Sequence, residues 1–325
     1  MKDVSIVIPT YGRPDKLAST LGFLALQNYP RESFEIIVVE NPHPTRPADD
    51  IVKNSLFPVR HIKTPDGMGL GYSLDRGLRE AEGRVVIFLD EDMEVGPDFV
   101  RTHAAVHGDN AILAQGYVIW DETTRKDPLY GWRRHDASYF LSREQKEIPF
   151  VQVLNNNMSI RRDVAIDAGG FNSIFHFYWE ETEFAYRMFK NGVSIVFLEQ
   201  AWSLHHDYKP FFTFLNRAKF RGSGAVDFYR LDPELDHFLG LDRFCRPSPW
   251  DIAQANAKRK LLPWLEAMGL AIYFMDWYNE IWELESNLMK IKRLKELGLF
   301  EQFISEGRII EPRNILKQAY LGVQT

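Results

Sequence analysis

Val85-Val86-Ile87-Phe88-Leu89-Asp90-Glu91-Asp92 joins a short apolar run to three consecutive carboxylates. Val85 to Leu89 has the length and β-branched character of a strand buried on both faces. Three adjacent charges cannot be buried cheaply with it, so the acids must leave the strand at its C-terminal end and meet solvent or a cation. In an open α/β sheet, that end is where ligands bind.

The sequence on either side has the pattern such a strand needs. Val4-Ser5-Ile6-Val7-Ile8-Pro9 reads as a strand, Pro14 to Asn28 as a helix with Pro14 near its first turn, and Glu35 to Glu40 as a second strand. Leu70 to Ala81 reads as a helix closed by Gly83 and leads into Val85. This β-α-β alternation predicts an α/β fold, Rossmann-like, with a doubly wound and mostly parallel sheet. A further strand is expected from Ala111 through Ile119, and Asp121 to Gln145 reads as a long connection. Residues 1–235 are assigned to this domain. Beyond it Pro247-Ser248-Pro249 punctuates the chain, and apolar residues recur at helical spacing through Leu261, Leu265 and Met268, then Leu284, Leu288, Ile291 and Leu294. Residues 236–325 are therefore expected to be a helical C-terminal extension. Its Trp264, Trp277 and Trp282 are expected to pack against the main domain, with a membrane surface or a dimer contact as the alternatives.

Composition narrows the class. The chain has 325 residues, 45% hydrophobic and 26% charged, enough for one large or two modest globular domains. A net charge of −6 provides no global basic field for nucleic acid or an anionic membrane. The single cysteine, Cys245, excludes an internal disulfide and a cysteine-rich metal site and fits a reducing compartment. The first residues reach strand-like sequence at Val4 without a charged-then-apolar leader, so no signal peptide is expected. Leu261 to Trp282 is interrupted by Glu266, Asp276 and Glu280 and falls short of the roughly 20 apolar residues of a spanning helix. A cytoplasmic protein is expected, peripheral to the membrane at most.

Asp90 and Asp92 lie two apart, so in an extended chain both side chains point the same way and can share a ligand. Hard carboxylate oxygens suit Mg²⁺ or Mn²⁺, which complete their shells with phosphates and water. By itself the triplet reads equally well as a solvated acidic loop. Its context adds the missing specificity, through four segments in order. These are Val4-Ser5-Ile6-Val7-Ile8-Pro9-Thr10-Tyr11-Gly12-Arg13; Gly67 to Gly83, with Asp75-Arg76-Gly77; Asp90-Glu91-Asp92 followed by Pro97; and Asn157-Met158-Ser159-Ile160-Arg161-Arg162 with Gly169-Gly170-Phe171 and Glu180-Glu181-Thr182-Glu183 plus Arg187. Over residues 1 to 210 this arrangement resembles the family 2 inverting glycosyltransferases, nucleotide-diphospho-sugar transferases of GT-A fold.

The resemblance implies roles by position. Donor binding falls to Pro9, Tyr11, Arg13, Glu40, Asn41, Asp66, Gly69, Arg76, Asp90 and Glu91, with Tyr11 stacking on the base. The family usually carries an aspartate that reads the base where Glu40-Asn41 stands; the Asn41 amide offers a different donor and acceptor set, so this departure supports a nucleotide in general more than uracil, with a UDP-sugar as the first expectation and GDP- or dTDP-sugars as the alternatives. Asp92 and His205 are expected to hold Mn²⁺ or Mg²⁺, with His206 as the fallback, because adjacent histidines in a strand face opposite ways. Glu181, where the family more often has aspartate, is the expected general base for the acceptor hydroxyl. Asn157, Trp179 and Glu180 are expected on the acceptor side, and Lys219, Arg221 and Gly222-Ser223-Gly224 as a mobile loop closing over the diphosphate. The expected partners are a nucleoside diphosphate sugar and a saccharide or other hydroxyl acceptor, without nucleic acid; a homo-oligomer through the C-terminal helices is a further option. A nucleotidyltransferase or a catalytically silent sugar-nucleotide-binding scaffold are the competing readings.

Overall fold

The computed structural model describes residues 2–126, 146–206 and 211–310. The chain divides into two compact units, Met1–Tyr208 and Lys209–Thr325. The division falls earlier than residue 235, because the helix Phe211–Leu231 belongs with the second unit.

The first unit carries strands β1 (Val4–Thr10), β2 (Phe34–Glu40), β3 (Val59–Lys63), β4 (Val85–Leu89), β5 (Met93–Val95), β6 (Ile112–Trp120), β7 (Asn157–Arg161) and β8 (Ser194–His205). Its helices are α1 (Pro14–Leu24), α2 (Asp49–Lys53), α3 (Leu70–Glu80), α4 (Phe99–Val106), α5 (Glu122–Lys126), α6 (Arg162–Asp167) and α7 (Glu180–Lys190). The strands form one sheet in the order β3-β2-β1-β4-β7-β6-β8-β5. β3, β2, β1 and β4 run parallel, β7 is antiparallel to both of its neighbours, and β6 and β8 are again parallel. This is the mostly parallel sheet of a GT-A fold.

Strand alternation sends side chains into two separate cores. Val7, Val39, Val86 and Phe88 pack on one face with Leu74 and Leu78 of α3 and with Phe184 and Met188 of α7. Ile6, Ile8, Ile87 and Leu89 pack on the other with Leu17, Leu21 and Leu24 of α1 and with Phe99 and Val100 of α4. Each buried leucine of α1 contributes about 2 kcal/mol. Burial on both faces explains why β1 and β4 read as continuous apolar runs. α3 lies so close to β1 that a Cβ on Gly77 would stand 2.2 Å from Val7 Cγ1. Of the long connection expected over 121–145, α5 lies within the described residues and 127–145 lie outside them.

The second unit has α8 (Phe211–Leu231), α9 (Pro249–Ala267), α10 (Met275–Glu296) and α11 (Phe300–Ser305), with a two-stranded ribbon of β9 (Phe244–Cys245) and β10 (Ile309–Ile310). Ser248 caps α9 reciprocally with Asp251, and Pro249 occupies its first turn. The expected loop at Lys219 to Gly224 is helix instead, well inside α8. Gly222 is a packing glycine there: a Cβ would lie 2.1 Å from the Ser286 carbonyl oxygen of α10. Arg221 donates to Glu283 Oε1 at 3.1 Å, and Arg293 holds Asp227 at 2.8 Å. Trp282 is buried, but Trp264, expected to pack, is 72% exposed. Among the described residues no helix is long and apolar enough to cross a membrane.

Candidate active site

The sheet brings several chain segments together at the C-terminal ends of β1 and β4. Parallel pairing of β1 with β2 and β4 aligns Thr10 with Glu40 and delivers Asp90 to the same edge. β7 runs the other way, and its first residue, Asn157, pairs with Leu89. The end of β8 reaches this edge too, with His205 opposite both Trp120 and Met93.

Asp90, Asp92 and His205 converge: one ligand atom from each lies within 4.8 Å of the others. His205 Nε2 stands 3.1 Å from Asp92 Oδ1 and 4.0 Å from Asp90 Oδ2. The indole of Trp120 stacks on the His205 ring, centroids 4.9 Å apart and planes at 14°. Two carboxylates and an imidazole on one side form a donor set fitted to a divalent ion that keeps open positions for phosphate oxygens. His206 faces elsewhere, 3.1 Å from Asp121 Oδ2 and 3.4 Å from Glu94 Oε2, which removes it as the alternative ligand.

Glu91 has a different place from the donor contact expected of it. It is buried, takes the Thr10 hydroxyl hydrogen bond, and accepts from Arg13 Nε at 2.7 Å. Burial pushes its carboxyl pKa up against the opposing pull of Arg13 and Thr10. Arg13 Nη1 also donates to Asp92 Oδ2 at 2.6 Å, so Arg13 spans the acidic loop and orients the carboxylate that faces His205. Thr20 of α1 completes the hold, its hydroxyl donating to the Glu91 carbonyl at 2.8 Å and accepting from Met93 N at 3.0 Å. The three acids are thus sorted, two toward His205 and one inward as the anchor.

The other expected donor residues divide in the same way. Tyr11 is 54% exposed and meets His43 edge to face at 5.0 Å. Gly12 between them adopts φ +66°, and a Cβ there would stand 2.6 Å from the His43 ring. Asn41 donates to the Met68 carbonyl at 2.6 Å, and its backbone N–H to the Thr10 carbonyl at 3.0 Å, tying together the loops that follow β1, β2 and β3. Its Oδ1 is buried without a hydrogen-bond partner among the described residues. Gly69 lets the start of α3 touch the chain at His176, where a Cβ would approach His176 Cα to 2.2 Å. Pro9 is buried in β1, paired with Val39, and Asp66 lies exposed in the loop before α3. Glu40 and Arg76 are engaged elsewhere. Glu40 accepts from Ala48 N at 2.8 Å and lies 2.8 Å from His61 Nε2, while Arg76 pairs with Glu80 on its own helix at 2.7 Å.

In the segment expected to meet the acceptor, α7 begins at Glu180 after Trp179, the one non-glycine residue with positive φ among the described residues, at 79°. A bulky side chain in that region carries backbone strain, which collects at functional sites. Glu180 is buried and Asn155 Nδ2 donates to it at 3.5 Å, which draws the first turn of α7, and Glu181 with it, toward the start of β7. Asp75 accepts from Phe171 N at 3.2 Å, and Arg187 donates to the carbonyls of Ala168 and Gly170 at 2.5 and 2.6 Å. The Asp75, Gly170 and Arg187 motifs therefore hold the segment between α6 and α7 in shape. Asn157 corrects the sequence reading. It is 0% exposed, and its amide is used by Ala201, Ser203 and His103, so it cannot meet an acceptor. An asparagine at the first position of a strand gives no sequence sign of which way its amide turns. His43, Thr20 and Trp120 were also missed, each being recruited from a distant part of the chain.

A family model described as Glycosyl transferase family 2 matches residues 5–169. Validoxylamine A glucosyltransferase of Streptomyces hygroscopicus is 26% identical over 62% of this chain and 54% of its own length. Dolichol-phosphate mannosyltransferase of Pyrococcus furiosus is 29% identical over 35% of this chain and 33% of its own. The chain thus spans at most about half the length of these curated relatives. Among solved structures, S. aureus TarS 1-349 in complex with UDP-GlcNAc superposes with a TM-score of 0.55 at 17% identity, covering 92% of each chain. The mannosyltransferase PcManGT of Pyrobaculum calidifontis, solved with GDP-Man and Mn²⁺, gives 0.55 at 16% identity over 90% of this chain and 87% of its own.

Proposed function

Because this chain belongs to glycosyl transferase family 2, we propose that it moves a sugar, with inversion, from a nucleoside diphosphate donor to an acceptor hydroxyl. The observation that carries this reading is the convergence of Asp90, Asp92 and His205 at the ligand-binding edge of the sheet. The base lies at Tyr11 and His43, where the exposed Tyr11 ring offers a face to stack on. The TarS neighbour with UDP-GlcNAc supports a UDP-sugar as the donor.

Asp90, Asp92 and His205 would hold the ion, and the imidazole favours Mn²⁺ over Mg²⁺. The neighbour solved with GDP-Man and Mn²⁺ supports that preference. When bound, such an ion neutralises charge growing on the departing diphosphate. Arg13 keeps Asp92 aimed at it. Glu181, in the first turn of α7, removes the proton from the acceptor hydroxyl as it attacks the anomeric carbon. Trp179 and Glu180 frame the acceptor.

Incubation with Mn²⁺ and UDP-, GDP- and dTDP-sugars, following release of the nucleoside diphosphate, tests the activity. Glu181→Gln should keep nucleotide affinity and lose about 10²- to 10⁴-fold in turnover. Near-normal turnover would refute the base assignment.

A further inference from the structure

We propose that Asn157 is a positioning residue that sets the separation of His205 from Asp92, acting through a one-way hydrogen-bond chain across β7. The proposal rests on the metal-site reading above. β6 and β8 pair regularly up to Gly116 and Leu198 and resume at Val118 and Ser203. The intervening residues of β8 bulge out of the ladder, taking the Ala201 carbonyl with them. Bulges beside active sites re-aim the side chains that follow.

The Asn157 side chain reaches into this bulge. Its Nδ2 donates to the Ala201 carbonyl at 2.9 Å and to Ser203 Oγ at 2.8 Å, two residues before His205. Gly116 leaves room for it: a Cβ would lie 2.2 Å from Asn157 Oδ1 and 2.5 Å from the Ala201 oxygen. Asn157 itself pairs with Leu89, the residue before Asp90. One buried amide therefore couples the strand that delivers Asp90 and Asp92 to the strand that delivers His205.

The polarity of the chain follows from chemistry. A carbonyl can only accept, so the amide nitrogen must face Ala201 and the amide oxygen must face His103 Nε2, 2.9 Å away. His103 then carries its proton on Nε2, and its Nδ1 accepts from the Ser159 hydroxyl at 2.8 Å. Ser159 in turn accepts from His107 Nε2–H at 2.7 Å. Gln115 clamps the same point, donating to the Asn157 carbonyl at 2.9 Å and accepting from Leu154 N at 2.6 Å. Every link from Ala201 through Asn157, His103 and Ser159 to His107 is buried, so the amide has one orientation, and β8 is held in one place relative to β7. An aspartate cannot replace it, because a carboxylate oxygen would face the Ala201 carbonyl.

The test compares the full chain with Asn157→Leu, Ser203→Ala and His205→Ala. Mn²⁺ affinity is read from the EPR signal of free Mn²⁺, and UDP affinity is measured in EDTA by calorimetry. Asn157→Leu should weaken Mn²⁺ binding about 10- to 100-fold, the range for partners that orient metal ligands. Ser203→Ala should weaken it less, and metal-free UDP affinity should be unchanged in both. A folded Asn157→Leu protein with wild-type Mn²⁺ affinity overturns the proposal. So does a parallel loss of Mn²⁺ and metal-free UDP binding, which marks a purely structural role. If Asn157→Leu does not fold, Ser203→Ala decides by the same two measurements. Wild-type Mn²⁺ affinity in His205→Ala would refute the metal-site reading itself, and the proposal with it.

Discussion

Mild acid should destabilise the first unit through His103 and His107. Burial strips water from His103 and lowers its pKa to about 4, with the Asn157 hydrogen bond pulling weakly the other way. His107 is lowered to about 3 by burial, and further by the charges of His103, Arg84 and Arg161. Both rings stay neutral in the folded chain at pH 5, while in the unfolded chain they take up protons below the ordinary value of 6.5. Their contribution is therefore complete above pH 6.5 and is lost as pH falls toward the folded values. At pH 5 the unfolded state gains about 2 kcal/mol from each ring, about 4 kcal/mol together. That is a large share of the roughly 5–15 kcal/mol by which domains are stable. Amide hydrogen exchange of β4 and β7, corrected for intrinsic pH dependence, reads the opening free energy of this unit at pH 7.5 and 5. The comparison chain is the double variant His103→Gln/His107→Gln, because subtraction removes other titrations. Glu91 is one of these, and its raised pKa contributes with the opposite sign. Equal protection at the two pH values, or an equal loss in the double variant, would refute the reasoning.

Arg13→Ala should lower stability by about 1–3 kcal/mol, because it strips a buried carboxylate of its charged donor; Glu91→Gln in that background should recover part of the loss in thermal melts. Gly170→Ala combines φ +71° with a Cβ placed 2.1 Å from Asp75 Oδ1. It should cost about 1–3 kcal/mol and raise the KM for the acceptor more than that for the donor in steady-state assays. Gly222→Ala should force α8 from α10 and cost about 1–3 kcal/mol of overpacking strain. Exchange protection should fall in the second unit, while Mn²⁺ affinity is retained.

The parts of this molecule legible in the sequence are those governed by local period and by charge placed against an apolar run. β1, β2 and β4 lie where alternation and β-branching put them, and α3 begins at Leu70 as expected. The convergence of Asp90, Asp92 and His205 was legible through the resemblance, since no local pattern links residues so far apart. Side-chain direction was the weak point. Glu40 turns to His61, Glu91 to Arg13 and Asn157 to Ala201, each toward a partner that only the tertiary register supplies. Lys219 to Gly224 misled for a different reason. Glycines are a loop signal only when no neighbouring helix needs their missing Cβ, and α10 does.

The irregularity in β8 also decides which of two adjacent histidines faces Asp90 and Asp92. From Gly116 to Val118, β6 advances by two residues while β8 advances by five, from Leu198 to Ser203. The surplus is odd, so the strand resumes in opposite phase. Phe197 packs into one core and Ala201 into the other, although an uninterrupted strand would put both on the same side. Counting alternation straight through from Ile195 would therefore put His206 on the side of Asp90 and Asp92. The length of this interruption acts as a parity bit, and insertions or deletions there exchange the roles of His205 and His206 when they are odd and preserve them when they are even.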